Sequence, residues 1–291
     1  MASLLKRVKP GDKVRLTDID PDDCAHIKHA EGAADFEKIL DQELPELQEL
    51  LYSAASNSVL IVLQGLDTAG KDGTIKHVMS RLNPAAVRVD SFKVPTPSER
   101  SHDFLWRAHQ AAPALGSIEI FNRSHYEDVL VARVDKLVSK DVWQSRFQQI
   151  NRFERLLVEN GTIVMKFFLY ISKEEQKERL LARERDQEKA WKLSRSDWVT
   201  YDKYDDYIEA YEEAIERCTT DESPWYIVPS NKKWFRNLAV AQTVSETLGK
   251  HKHEWQEKLH ERGQRILKEI AEQREGKTPE RIRQDRILSD A

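Results

Sequence analysis

Apolar and polar positions fall into blocks that switch between two periods along the chain. Ser58-Val-Leu-Ile-Val-Leu-Gln64 is a short, nearly unbroken apolar run, the pattern of a strand buried on both faces of a parallel sheet. Similar runs lie at 87–92, 117–121, 162–171 and 225–228. Between them the spacing lengthens to that of helices, near 98–111, 125–134, 141–159, 202–217 and 233–248. Ahead of the first strand, Phe36, Ile39, Leu40, Leu44, Leu47, Leu50 and Leu51 put one apolar face on a helix over 33–53. Behind it, 74–82 reads as a helix that Pro84 ends. Strands separated by helices of this length predict an α/β fold whose parallel sheet is covered on both faces.

The flanks differ. Residues 1–31 carry turn-forming clusters (Pro10-Gly11-Asp12 and Asp18-Ile-Asp-Pro-Asp-Asp23) and are expected to be an irregular arm. Residues 32–249 form the expected catalytic domain, with a helical lid at about 173–200. Ser172-Lys-Glu-Glu175 there is a capping box opening a helix. Residues 250–291 are a charged tail with a sparse stripe of Trp255, Leu259, Ile266 and Ile270, read as a solvated helix or a subunit contact.

Composition narrows the function. No apolar run approaches the ~20 residues that span a bilayer, and the first residues lack the apolar core of a secretory signal. Two cysteines, Cys24 and Cys218, give neither a disulfide framework nor metal-ligand spacing, which fits the cytoplasm. With 46 Lys+Arg against 50 Asp+Glu the net charge is −4, so a general nucleic-acid binder is not expected. Glycine is scarce, 10 in 291 residues, yet Gly65, Gly70 and Gly73 fall within nine positions. Gly65-Leu-Asp-Thr-Ala-Gly-Lys-Asp72 fits G-x-x-x-x-G-K with a buried strand before it and a helix after it. The glycines let the backbone aim N–H groups at a phosphate, the helix N-terminus adds a partial charge and Lys71 a full one. Thr68 and Ala69 belong to the same cradle. Asp72 stands where Ser or Thr usually meets Mg²⁺. Asp67, inside the loop, reads either as a metal ligand facing the phosphates or as a loop-bracing residue; the same bracing reading applies to Asp72.

A second cluster, Asn122-Arg-Ser-His-Tyr-Glu-Asp128, follows a strand and belongs at the same carboxyl edge of the sheet. It offers a cation, Arg123, and two carboxylates, Glu127 and Asp128. His125 and the His102-Asp103 pair read as structural or phosphate-facing rather than as bases. The stretch 71–109 holds Lys71, Lys76, Arg81, Arg88, Lys93, Arg100 and Arg107 against four acids, which suits a polyanion, with Lys76 and Arg81 on the helix leaving the loop. In the lid, Arg179, Arg183, Arg185, Lys189 and Lys192 offer late-arriving cations, Arg179 and Arg183 sharing a helix face. Arg133 is a further phosphate-binding candidate.

Gly65-Leu-Asp-Thr-Ala-Gly-Lys-Asp-Gly73 together with Phe121-Asn-Arg-Ser-His-Tyr-Glu-Asp-Val129 resembles the polyphosphate kinase 2 family. Ser101–Arg107, Lys166–Ser172 and Pro224–Pro229 add to the likeness, which covers residues 5 to 250. It implies a P-loop kinase-like three-layer α/β/α sandwich with a lid. It also implies Mg²⁺-dependent phosphoryl transfer, with Mn²⁺ as a substitute, between inorganic polyphosphate and purine nucleotides, in a cytoplasmic homo-oligomer (dimer or tetramer) with no membrane or nucleic-acid partner. Asp67, Lys71 and Arg123 match the family's catalytic positions. Asn122 in place of the family's frequent Asp resembles the subgroup that phosphorylates nucleoside mono- and diphosphates alike. There Asp128 takes the second metal role beside Asp67, and Glu127 lies near the base. The chemistry needs no general base, because a phosphate acceptor is already anionic near neutral pH. Two competing readings remain: an ATP-dependent nucleoside monophosphate or small-molecule kinase on the same fold, and a non-catalytic nucleotide-binding scaffold.

Overall fold

β2 (Ser58–Gly65) is buried at every position and forms the centre of the molecule. Its side chains alternate between two apolar layers. Leu60 and Val62 enter one with Phe121, Phe147 and Tyr211, and Val59, Ile61 and Leu63 enter the other with Leu51, Leu238 and Val244. The structure is a computed structural model that describes residues 4–186 and 195–274.

A six-stranded sheet runs in the order β1-β6-β5-β2-β4-β3. It contains β1 (Lys6–Arg7), β2, β3 (Val87–Ser91), β4 (Ile118–Asn122), β5 (Thr162–Tyr170) and β6 (Trp225–Pro229). Only β1 pairs antiparallel, on β6; the remaining pairs are parallel. The chain leaves β2 towards β4 and β3 and later returns to its other side as β5. The carboxyl end of β2 is therefore the switch point where such sheets bind ligands.

Among the described residues, twelve α-helices connect and cover the strands: α1 (His29–Lys38), α2 (Leu44–Ala54), α3 (Lys71–Val78), α4 (Pro97–Arg100), α5 (Trp106–Gln110), α6 (Val131–Val134), α7 (Lys140–Glu159), α8 (Lys173–Arg185), α9 (Arg195–Asp202), α10 (Tyr204–Arg217), α11 (Lys233–Gly249) and α12 (Lys252–Arg274). α7 and α10 supply one layer with Trp143, Phe147, Ile150, Phe153, Tyr207 and Tyr211. α2, α11 and the start of α12 supply the other. The α/β/α sandwich with a parallel sheet thus stands as expected from the sequence.

The differences have local causes. The single helix expected over 33–53 starts earlier, at His29, and is interrupted by a π-turn at Ile39–Glu43. Pro45, just beyond that turn, has no N–H to give to the preceding turn. The helix expected over 98–111 splits into α4 and α5, because the Asp103 carboxylate accepts from the Leu105 N–H (2.9 Å) and closes a local turn. The arm 1–31 is not merely irregular. It adds β1 to the sheet, buries Val8, Val14 and Leu16, and is held by α10, whose Glu216 and Glu212 accept from the Val14 and Leu16 N–H groups at 2.8 and 2.6 Å. The tail begins as α12, with Trp255 fully buried and its indole N–H on Asn57 Oδ1 (2.8 Å), while Ile266 and Ile270 stay exposed. No described helix is long and apolar enough to cross a membrane.

Candidate active site

Between β2 and α3 the backbone turns through two left-handed residues, Thr68 (φ 67°) and Gly70 (φ 106°). The first helical bond of α3 is Thr74 N–H to Gly70 C=O, so the N–H groups of Lys71, Asp72 and Gly73 have no carbonyl one turn back. They form an anion cradle at a helix N-terminus. Thr68 Oγ1 is buried there with no hydrogen-bond partner.

Two buried arginines hold the outer side of this loop. Arg179 of α8 spends all five N–H groups. Its Nε donates to Glu175 (2.6 Å), Nη1 to the Thr68 and Ala69 carbonyls (2.9 and 3.2 Å), and Nη2 to those of Ser230 and Asn231 (2.7 and 2.9 Å). Arg236 of α11 donates from Nη1 to Ala69 C=O (3.0 Å) and from Nε and Nη2 to Asn237. With the carbonyls pinned outwards, the alternate N–H groups face inwards. Burial, and then the nearby Arg179, push the Arg236 guanidinium down to about 10. A Cβ on Gly70 would stand 1.9 Å from Arg236 Nη1 at a φ that L residues avoid. Gly70→Ala therefore abolishes turnover and lowers the melting temperature; an active, equally stable variant would refute this packing.

Lys71, Asp67, Arg123 and Glu127 converge on the cradle. Lys71 Nζ is buried and donates to the Gly65 and Leu66 carbonyls (2.6 and 3.2 Å). Burial first, and then Arg123, push it down to about 8, against the opposing pull of Asp67, Glu127 and Asp72. Arg123 has a left-handed backbone (φ 59°), and its N–H donates to Leu63 C=O, which locks the end of β4 to β2. Its guanidinium contacts Asp67 Oδ1 at 2.7 Å and Glu127 Oε2 at 3.9 Å. Desolvation works against that charge, yet Glu127 and Asp67 carry the Arg123 value upward. Burial raises the Glu127 carboxyl above its usual range, while Arg123, Lys71 and Gln64 resist.

Several expected site residues lie elsewhere. Asp128 is engaged by Arg146 Nη1 (3.2 Å) and Arg107 Nη2 (3.6 Å), not by Asp67. Adjacent residues in the 3-10 turn His125–Asp128 point to different groups: Glu127 shares Arg123 with Asp67, and Asp128 turns to Arg107 and Arg146. Asn122 donates to Asp72 Oδ1 (2.8 Å), a tie between β4 and α3. Arg133 is occupied by Glu209 and Glu213 and lies over the Trp143 ring. Arg81 lies beyond the end of α3 and pairs with Asp41. Arg179, expected as a lid cation, here gives its N–H groups to Glu175 and to carbonyls of the loop and of Ser230 and Asn231. Arg183 is part-exposed on the next turn of α8, and Lys76 is exposed on α3; Lys189 and Lys192 lie outside the described residues.

The family described as Polyphosphate kinase 2 matches residues 27–259, across the loop and the second cluster. The chain belongs to that family. An AMP/ADP-polyphosphate phosphotransferase of Meiothermus ruber is 48% identical over 243 residues, 83% of this chain and 91% of the relative. An ADP-polyphosphate phosphotransferase of Rhodopseudomonas palustris is 39% identical over 90% of this chain and 94% of its own. The crystal structure of polyphosphate kinase 2 from Arthrobacter aurescens TC1 superposes with a TM-score of 0.80 at 39% identity, covering 85% of this chain and 92% of that one. As a polyphosphate kinase 2 the protein is a phosphotransferase acting between polyphosphate and nucleotides, as the sequence led us to expect.

Sequence reasoning missed Arg236, Gln64 and Tyr211 in this polyphosphate kinase 2 site. Tyr211 donates to Gln64 Oε1 (3.1 Å), and Gln64 donates to Ser124 Oγ (3.0 Å) beneath the second cluster. Gln64 had a legible signal, a lone amide ending an apolar strand. Arg236 had none, because its target is a backbone carbonyl 167 residues away.

Proposed function

We propose that the chain transfers phosphoryl groups from inorganic polyphosphate to both nucleoside mono- and diphosphates, with Mg²⁺ as the metal. The observation carrying this is the convergence of Lys71, Arg123, Asp67 and Glu127 on one cradle of open N–H groups. Polyphosphate and nucleotide are both anions, so the work is in-line positioning and neutralisation of charge. The cradle N–H groups and Lys71 hold the transferring phosphate, and Thr68 Oγ1 donates to it. Arg123 bridges donor and acceptor oxygens.

The carboxylates suit a hard divalent cation. No group of three or more His, Cys, Asp or Glu is gathered as a metal cage among the described residues, and Mg²⁺ characteristically takes one or two carboxylates plus substrate phosphates. Asp67 and Glu127 would hold it, with Mn²⁺ able to substitute. When bound, it supplies Lewis-acid neutralisation of phosphate oxygens. Asp128 serves instead as the anchor that joins the second cluster to α5 and α7 through Arg107 and Arg146.

The first two turns of α8 are tied to the loop through Gln176 and Arg179, so a lid cation on this helix lies beyond them. Arg183 is the lid cation, and Lys76 lies along the exposed path of the polyphosphate. The protein works in the cytoplasm as a homo-oligomer. The test is a steady-state comparison of AMP, ADP, GMP and GDP with polyphosphate of one length. Turnover of both AMP and ADP is expected; turnover of ADP alone would contradict the dual-acceptor reading.

Lys71 gives this site a pH signature. Held down to about 8, it loses its charge in the free protein as pH rises through that value. An anionic phosphate beside Nζ favours the ammonium and raises the value again. Polyphosphate binding at pH 8 therefore takes up protons. Calorimetry in buffers of differing ionisation enthalpy reads that uptake, and it disappears in Lys71→Met. A binding heat independent of buffer at pH 8 would contradict the assignment.

A further inference from the structure

The middle of β5 holds a lysine where the flanking residues are apolar. Lys166 is fully buried between Met165 and Phe167, and its ammonium donates to Glu154 Oε2 of α7 (2.5 Å), to the Tyr126 hydroxyl (3.2 Å) and to the Cys218 carbonyl. Three donors meet three acceptors. Glu154 is equally satisfied: Ser223 Oγ donates to Oε2 (2.7 Å), the Tyr126 hydroxyl to Oε1 (2.8 Å), and His125 Nε2 lies 3.4 Å from Oε1. Burial opposes ionisation of Glu154, but Lys166 and His125 overcome it and hold the carboxyl near 2. The Glu154 carboxyl is ionised in the folded protein.

Such a pair is a poor source of stability. A buried ion pair costs several kcal/mol of desolvation per ion, and apolar residues of similar size are often as good or better in its place. What an apolar replacement cannot do is hold a phenol in one direction. Tyr126 is that phenol. It is fully buried, its ring packs edge-on against Trp225 (4.9 Å between centroids), and its N–H donates to Ser124 Oγ.

The 3-10 turn His125–Asp128 divides between two environments. His125 and Tyr126 face Glu154, and the next residue, Glu127, faces Arg123 and Lys71. In so short a turn a rotation at Tyr126 swings Glu127 with it. We propose that the buried Lys166–Glu154 pair is a positioning device for the phosphate site, acting through the Tyr126 hydroxyl to fix where Glu127 stands. This rests on the reading that Glu127 works at that site.

Lys166→Met strands Glu154 in the core and is expected to misfold, so the test uses two milder variants. Tyr126→Phe keeps the ring and removes the link between the charge pair and the turn. Ser223→Ala removes another hydrogen bond to the same carboxylate, from a loop that does not lead to Glu127. Melting temperature, kcat and KM for ADP and polyphosphate are measured for both. Similar modest losses of melting temperature are expected. Tyr126→Phe loses at least about tenfold in kcat with both KM values within about twofold, and Ser223→Ala keeps kcat within about twofold. Equal kcat for the two variants, whether both fall or both hold, would overturn the positioning role. Glu127→Gln separates the layers. If it loses kcat while Tyr126→Phe matches Ser223→Ala, the positioning role alone fails. If it keeps kcat, the reading of Glu127 fails and the proposal with it.

Discussion

Asp67→Asn and Lys71→Ala each lower kcat by at least about a hundredfold, about 2.7 kcal/mol of transition-state stabilisation. Lys71 is buried against the loop it serves, with Nζ within hydrogen-bond reach of two loop carbonyls and charge-coupled to Arg123, Asp67 and Glu127. Removing it takes away the full charge nearest the cradle. Asp67→Asn acts differently. Its Oδ1 is the 2.7 Å acceptor of Arg123, so the amide both weakens that contact and removes a carboxylate suited to Mg²⁺. The two losses separate by metal. Raising the Mg²⁺ concentration partly restores Asp67→Asn and leaves Lys71→Ala unchanged. Initial rates against Mg²⁺ decide this, and near-normal kcat in either variant would remove that residue from the site.

Arg179→Met has the second largest effect, on stability and on turnover together. It frees four carbonyls, those of Thr68, Ala69, Ser230 and Asn231, and leaves Glu175 without its 2.6 Å partner. Breaking a buried charged contact of this kind costs about 3–5 kcal/mol. For a chain of this size that lowers the melting temperature by roughly 5–8 °C. The loop then no longer holds its carbonyls outwards, and kcat falls at least about tenfold. Arg183→Met, one turn further along α8, leaves the melting temperature within about 2 °C and raises the KM for polyphosphate. If the two variants behaved alike, Arg179 would be a lid cation after all.

That contrast shows where the sequence was informative. The strand at 58–64 and the glycines behind it were legible because an apolar run and a cluster in a glycine-poor chain are local signals. Asp67, Lys71 and Arg123 follow from them, since each lies within a few residues of a strand end. The roles of Arg179 and Arg236 were not legible. Their partners are carbonyls of Thr68 and Ala69, more than a hundred residues away, and a carbonyl carries no side-chain signature. Which of Glu127 and Asp128 meets Arg123 was not legible for a geometric reason: neighbours in a one-turn 3-10 segment diverge, and spacing does not say which faces the loop. The N-terminal arm shows no periodicity because Val8, Val14 and Leu16 reach the core from irregular backbone, with the Val14 and Leu16 N–H groups held by Glu216 and Glu212 of α10.

The most direct test of the whole account is the choice of donor. Purified protein is mixed with ADP and Mg²⁺ and given either inorganic polyphosphate or GTP, and ATP is measured over time. ATP forms with polyphosphate and not with GTP if the Asp67–Lys71–Arg123 cradle serves a polyphosphate donor. ATP formed with GTP alone would contradict it.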